Sequence, residues 1–225
     1  MEGRHEVKHY ISLSDYYELR TRLRTVLYPD CYAGKDGTYR IRSLYFDSAD
    51  DKALREKLDG AQNRDKFRIR LYNEDCSCIH LEKKSKRGSV CYKDCTCLSA
   101  EECLRLLDGD CAWMAGREEP LIREFRYRIH TDGLRPQTIV DYIRDPFVYP
   151  AGNVRVTLDH DIRTGLRSTD FLNRNCPTIP VVDDAIILEV KWDRFLPDLV
   201  KDAVQVPSRS ASAYSKYAAC RAYDF

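Results

Sequence analysis

Apolar and polar residues alternate in the stretch 66–97, which is the signature of strands with one buried face. The first strand reads Lys-Phe-Arg-Ile-Arg-Leu-Tyr over 66–72, so its apolar side chains share one face and its arginines share the other. A second strand follows over 79–84, and Arg87 with Gly88 is typical of a two-residue turn into a third strand. The pattern predicts a three-stranded antiparallel meander with one cationic face.

A turn at Arg87 and Gly88 also sets the register of this meander. Lys86 then pairs with Ser89, which places Glu82 opposite Lys93 and Lys84 opposite Cys91. The predicted polar face carries Arg68, Arg70, Glu82, Lys84 and Lys93.

The rest of the chain alternates between strand and helix patterns. Five further strands are predicted, at 4–10, 39–47, 138–145, 154–161 and 185–192. Helices are predicted from apolar spacing and capping residues, at 15–27, 49–58, 99–109, 120–131, 197–206 and 211–222. The polar stretch 163–184 is long enough to form a mobile loop. Since eight strands can close into a small barrel, the predicted fold is α+β: an eight-stranded antiparallel β-barrel tunnel with helices packed outside, as a single domain over 1–225.

Basic residues with a single acid recur on one face of the other strands. They read Arg4-Glu6-Lys8, Tyr142-Arg144, Arg155-Thr157-Asp159 and Glu189-Lys191. For an isolated hairpin, the ordinary alternative is a half-solvated sheet with its charges in water, but the recurrence favours a common cationic lining.

Because the 37 basic and 36 acidic residues nearly cancel, affinity for anions must come from the placement of charges. This balance disfavours a general nucleic-acid coat.

Closing the barrel with these faces inward makes them the lining of a tunnel. The cations, which outnumber the carboxylates, are Lys8, Arg68, Arg70, Lys84, Lys93, Arg144, Arg155, Lys191 and Lys216, and the carboxylates are Glu6, Glu82, Asp159 and Glu189. Buried charges without partners are too costly to persist, so such a tunnel must be wet and hold an anion. A triphosphate or a longer phosphate chain fits, with arginines contacting pairs of oxygens. Carboxylates among such cations suit Mg²⁺ or Mn²⁺.

The sequence contains ten cysteines, but it has no export signal and is of ordinary globular length. We therefore expect reduced thiols. The register above places Cys78 opposite Cys97 and His80 opposite Cys95. Two interpretations stay open: a zinc site of thiolates and imidazole, or small inert thiols. The Cys-x-Cys spacing lacks the usual turn geometry of zinc ligands and favours inert thiols.

Short motifs occur in order along essentially the whole chain and together resemble a known family. They are Arg4-His5-Glu6-Val7-Lys8, Ser43-Leu44-Tyr45-Phe46-Asp47, Phe67-Arg68-Ile69-Arg70, Leu81-Glu82-Lys83-Lys84, Val140-Asp141-Tyr142-Ile143-Arg144, Asn153-Val154-Arg155-Val156-Thr157-Leu158-Asp159 and Leu188-Glu189-Val190-Lys191. The set resembles the VTC domain, the catalytic domain of the vacuolar transporter chaperone polyphosphate polymerases, within the CYTH-like triphosphate tunnel metalloenzymes.

The resemblance implies a tunnel that binds ATP and polyphosphate and transfers the γ-phosphoryl group to a growing chain with Mn²⁺. Arg4 stands where the wider superfamily's ExExK strand has its first Glu, and Ala213 stands where a further basic residue is expected. The residues assigned are the catalytic cations Lys8, Arg68, Arg70, Lys84, Arg144 and Arg155; the phosphate-binding cations Lys93, Lys191 and Lys216; and the metal ligands Glu189, Glu6 and Glu82.

The predicted function is a metal-dependent phosphotransferase that polymerises the ATP γ-phosphate into polyphosphate. A triphosphatase and a non-catalytic polyphosphate or polyanion-binding module remain as alternatives.

No apolar run approaches the roughly 18 to 20 residues of a membrane span, and the N-terminus lacks the apolar core of a signal peptide. We therefore expect a cytoplasmic chain without a membrane segment, without the N-terminal helical region of the fungal proteins, and without a nucleic-acid partner.

Overall fold

The fold is built on one antiparallel sheet, which a computed structural model describes for residues 3–181, 185–206 and 210–223. Its strands are β1 His5–Ile11, β2 Tyr28–Pro29, β3 Tyr39–Asp47, β4 Asn63–Tyr72, β5 Asp75–Arg87, β6 Val90–Leu98, β7 Arg135–Tyr149, β8 Val154–Thr164, β9 Ile179–Pro180, β10 Ile186–Trp192 and β11 Ser210–Ala211. The helices are α1 Leu13–Val26, α2 Lys52–Leu58, α3 Ala100–Leu107, α4 Pro120–Asp132, α5 Asp198–Ala203 and α6 Lys216–Arg221.

The sheet curls so that the start of β1, near one edge, approaches β6 at the other edge. The strand order is β11-β1-β10-β8-β7-β3-β4-β5-β6, with β2 paired to β7 and β9 paired to β8. At one end, the backbone N–H of Arg4 donates to the carbonyl of Cys91 over 3.1 Å, which joins the start of β1 to β6. The eight predicted strands and their antiparallel arrangement as a curled tunnel sheet are therefore confirmed.

The predicted register of the β5–β6 hairpin is wrong by two residues. Gly88 and Ser89 form the turn, Arg87 pairs with Val90, and Lys84 lies opposite Lys93. Gly88 adopts φ 59°, and a positive φ at the first turn position is what glycine accommodates without steric cost. Because the shift is even, every side chain keeps its predicted face.

Two apolar clusters pack outside the sheet, as predicted for its helices. One covers β3 to β6 with α3 and α4, and the other covers β7, β8 and β10 with α1 and α5. The side chain of Ser12 caps α1 by accepting from the N–H of Asp15, in a capping box. This cap and the apolar spacing explain why α1 forms close to its predicted bounds.

The stretch after β8 packs against the apolar cluster that covers β3 to β6. Phe171 is fully buried there with Cys176, and the guanidinium of Arg42 donates to the carbonyl of Asn173 over 2.6 Å. The predicted loop over 163–184 is therefore shorter, running from the end of β8 to β9, and its buried apolar residues hold it on the sheet. Residues 182–184 lie outside the described residues.

A third apolar cluster lies inside the curled sheet, and α6 packs onto it. Tyr217 and Cys220 of α6 join inward side chains of the strands, including Ile41, Val140 and Ile187. The hydroxyl of Tyr217 donates to buried Asp47 over 2.8 Å. One predicted outer helix is thus an inner one, and it covers one end of the tunnel.

Within the described ranges, no helix combines the length and the apolar character needed to cross a membrane.

Candidate functional site

The inward faces of β1 and β10 carry two matching pairs of opposite charge. The strands are antiparallel, so Glu6 lies opposite Lys191 and Lys8 lies opposite Glu189. The ammonium of Lys8 is 3.1 Å from Glu6 and 3.3 Å from Glu189, and that of Lys191 is 2.7 Å from Glu189 and 3.7 Å from Glu6. Lys84 reaches Glu6 from β5 over 2.8 Å. Two carboxylates on neighbouring strands are therefore held together by shared lysines.

Both carboxylates of this group are ionised in spite of their burial. Burial opposes ionisation of Glu6, but the three lysines hold its pKa down to about 2. Burial also opposes ionisation of Glu189, and the surrounding cations, Lys191 foremost, hold its pKa well below the usual range. Burial lowers the pKa of Lys191 to about 8. This part of the lumen presents two acceptor groups with full negative charge.

Thr157 adds an unpaired hydroxyl beside this group. It lies opposite Glu189 in the β8–β10 pairing, its side chain is buried, and its hydroxyl oxygen has no hydrogen-bond partner among the described residues. An unsatisfied buried hydroxyl costs free energy unless something binds it. Two ionised carboxylates with a hydroxyl are hard oxygen donors, which fit Mg²⁺ or Mn²⁺.

Glu82 is the centre of a second group, on the β4–β6 wall. It lies 2.6 Å from Arg68, 3.7 Å from Arg70 and 2.5 Å from Lys93. Burial opposes its ionisation, but Arg70 and Arg68 hold its pKa below the usual range. These partners differ from those of Glu6 and Glu189, although Lys93 lies opposite Lys84 on the neighbouring strand.

Asp159 organises a third group near α6. It is fully buried, receives two hydrogen bonds from the guanidinium of Arg144 at 2.6 and 2.7 Å, and pairs with Lys216 over 2.6 Å. Arg144 also lies 3.7 Å from Glu189, which links this group to the first. Arg155 does not join this group and pairs instead with Asp30 over 2.8 Å. The nine predicted cations are thus distributed over the three carboxylate groups and Asp30.

Lys66 is a lumen cation that the sequence reasoning missed. It lies opposite Lys84, donates to the hydroxyl of Ser215 over 3.3 Å, and has no carboxylate partner among the described residues. Burial and nearby cations, Arg64 foremost, lower its pKa to about 7. The alternation with Phe67 and Arg68 could have identified it, since residues 66, 68 and 70 share one face.

Four cysteine and histidine side chains of β5 and β6, namely Cys78, His80, Cys95 and Cys97, lie together on the same inner face, at the end of the hairpin remote from its turn. Cys78 and Cys97 are joined by a disulfide, so the expectation of reduced thiols is wrong for this pair. The two-residue register shift places His80, rather than Cys78, opposite Cys97, and places Cys95 opposite Glu82. Cys78, His80 and Cys97 form a group of potential metal ligands within 4.8 Å of one another.

Comparison with known proteins agrees with this architecture. The profile of the family described as VTC domain matches residues 3–225. Among solved structures, a candidate adenylyl cyclase from Hippeastrum, described as having a dominant triphosphatase activity, is 16% identical with a TM-score of 0.55, over 99% of this chain and 96% of that chain. A candidate adenylate cyclase from Bacillus halodurans is 14% identical with a TM-score of 0.52, over 84% of this chain and 80% of that chain. No curated protein sequence matches the chain.

Proposed function

Because the chain belongs to the VTC domain family, we propose that it is a metal-dependent phosphotransferase that binds a nucleoside triphosphate and polyphosphate in its tunnel. In the proposed reaction, a terminal oxygen of polyphosphate attacks the γ-phosphorus of ATP, the bond from that phosphorus to the β–γ bridging oxygen breaks, and ADP leaves. The observation that carries the proposal is the pairing of Glu6 and Glu189 through Lys8 and Lys191, within a lumen where cations outnumber carboxylates.

The cations supply binding and orientation in this proposal. Arg68 and Arg70 lie side by side on β4, and their guanidinium groups suit phosphate oxygens because each can donate two parallel hydrogen bonds. The side chains of Lys84 and Lys93 are partly exposed and keep donors available for a second phosphate. Phosphoryl transfer needs in-line placement and charge neutralisation more than covalent chemistry, so such a lining suits it.

Glu6, Glu189 and Thr157 are the residues that would hold Mn²⁺ or Mg²⁺. When bound, the ion neutralises charge on the phosphate oxygens and helps to orient them. Glu82 serves instead to orient Arg68 and Arg70, since its oxygens are taken up by cations.

Product analysis tests this function. Purified protein is incubated with ATP and Mn²⁺, with and without a chelator, and phosphate chains are separated by electrophoresis. Chelator-sensitive long chains are expected. Release of orthophosphate or pyrophosphate alone would reject the polymerase, and tight, salt-sensitive binding of polyphosphate without any turnover would support a non-catalytic receptor.

A triphosphatase is the second candidate, and one observation favours it. The inner apolar cluster and α6 occupy one end of the tunnel, so a growing product would have to leave by the other end. A triphosphatase releases short products and needs one opening only. The structural likeness to the Hippeastrum protein, described as a triphosphatase, agrees with this alternative.

A further inference from the structure

Four potential soft-metal ligands share one face at the end of the β5–β6 hairpin. Cys78 and His80 lie two residues apart on β5, and Cys95 and Cys97 lie two residues apart on β6, so all four side chains are on the lumen side. The sulfur of Cys95 is 3.5 Å from Nδ1 of His80, that of Cys97 is 3.9 Å from Nδ1, and that of Cys78 is 3.9 Å from Nε2.

We propose that in the reduced protein Cys78, His80, Cys95 and Cys97 bind one Zn²⁺ as a Cys₃His site. Three thiolates and one imidazole are the donor set of many closed tetrahedral zinc sites, with zinc–sulfur distances of about 2.3 Å. The same set excludes Mg²⁺ and Mn²⁺, which take oxygen ligands. This site is therefore chemically distinct from the carboxylate group of Glu6 and Glu189.

The disulfide between Cys78 and Cys97 is the oxidised, metal-free form of the same site. A phosphine reductant gives two electrons to the disulfide and takes up oxygen from water, which supplies the two protons of the resulting thiols. Zn²⁺ then displaces one proton from each of Cys78, Cys95 and Cys97. Since both sulfurs of the disulfide are needed as ligands, the two forms exclude each other.

Three of the four ligands already lie together, since the ligand atoms of Cys78, His80 and Cys97 are within 4.8 Å of one another. Cys95 lies one inward position farther along β6, and its sulfur has to turn toward the other two sulfurs when the ion binds. His80 lies directly opposite Cys97, and the Cα atoms of Cys78 and Cys97 are 5.8 Å apart. Cys78 and Cys95 each neighbour both His80 and Cys97 along a strand or across the pair, so the imidazole of His80 lies between the other ligands and can share one small ion with them. Bound Zn²⁺ would link β5 to β6 at the end of the hairpin remote from its turn.

Cobalt binding to the full chain tests the proposal independently of any ATP turnover. Phosphine-reduced protein is titrated with Co²⁺, then with Zn²⁺ in competition, and thiolate-to-cobalt absorption is recorded. One Co²⁺ per chain with thiolate bands is expected, displaced by one Zn²⁺. Loss of a residue that only supports a metal ligand already lowers metal affinity by about tenfold or more. Cys95→Ser and His80→Ala each remove a direct ligand, so each should lower the affinity by at least that much. Cys31→Ser, at an exposed free cysteine elsewhere, should bind as the wild type does.

Three results would overturn the proposal. The first is the absence of thiolate–cobalt absorption in reduced wild-type protein. The second is unchanged affinity in both Cys95→Ser and His80→Ala, with circular dichroism showing that the variants are folded. The third is mass-spectrometric evidence that Cys78 and Cys97 stay linked after phosphine treatment, because their thiolates are then never available.

Discussion

Glu6 and Glu189 lie on neighbouring antiparallel strands and share the ammonium group of Lys8, which is 3.1 Å from the first carboxylate and 3.3 Å from the second. The arrangement follows from one Glu-x-Lys sequence facing another in the opposite direction, so that each carboxylate is opposite a lysine. Repulsion between the two carboxylates is offset by lysines, and a divalent cation would offset it more strongly.

Glu189→Gln is expected to abolish metal-dependent turnover and to leave polyphosphate affinity unchanged or slightly raised. The substitution keeps size and hydrogen bonding, removes the charge that attracts a cation, and makes the tunnel more positive. Turnover and polyphosphate binding are measured separately. Glu124→Gln is the matched control, because Glu124 pairs with Lys83 outside the lumen. Full activity of Glu189→Gln would place the metal elsewhere.

Arg68→Ala is expected to weaken polyphosphate binding by about 1 to 3 kcal/mol, and Arg70→Ala by a similar amount, because each removes charge-assisted hydrogen bonds. Calorimetry at fixed salt measures the effect. Arg87→Ala is the control, since Arg87 is exposed and pairs with Asp65 near the hairpin turn. Equal losses in Arg68→Ala and Arg87→Ala would indicate general electrostatics rather than a tunnel contact.

Lys66 should make polyphosphate binding depend on pH. Its pKa is about 7 without ligand, lowered by burial and by nearby cations, and a bound anion favours the charged amine and raises this pKa. Affinity should therefore be highest below pH 7 and fall as pH rises from the ligand-free pKa to the higher bound pKa. Titrations between pH 6 and 9 in wild-type protein and Lys66→Gln measure the difference. An identical pH profile in both would show that Lys66 does not contact the anion.

Tyr217→Phe is expected to destabilise the protein by about 1 to 3 kcal/mol, because the buried carboxylate of Asp47 loses a hydrogen-bond donor. Urea unfolding provides the measurement. Tyr127→Phe, at an exposed tyrosine on α4, should change stability by less than about 0.5 kcal/mol. A loss below that value in Tyr217→Phe would mean that the Asp47 contact contributes little to closing the tunnel end.

The alternation of apolar and polar residues identified the strands and the face of the sheet on which each side chain lies. Phe67 and Ile69 lie outside while Arg68 and Arg70 lie inside, and Glu6, Lys8, Glu189 and Lys191 meet as their faces predicted. A period of two residues is a local backbone property, so it survives errors in turn position. That is why a hairpin register wrong by two residues still gave the correct inner face.

Contacts between distant parts of the chain were decided only by tertiary structure. The inner position of α6 depends on Tyr217 meeting Asp47, 170 residues away in sequence, and no local pattern records such a meeting. Likewise, among the described residues no hydrogen-bond partner meets the hydroxyl of Thr157 and no carboxylate meets the amine of Lys66, and both facts depend on neighbours from other strands. Sequence periodicity determines which way a side chain points, whereas its partners depend on how the whole sheet curls and closes.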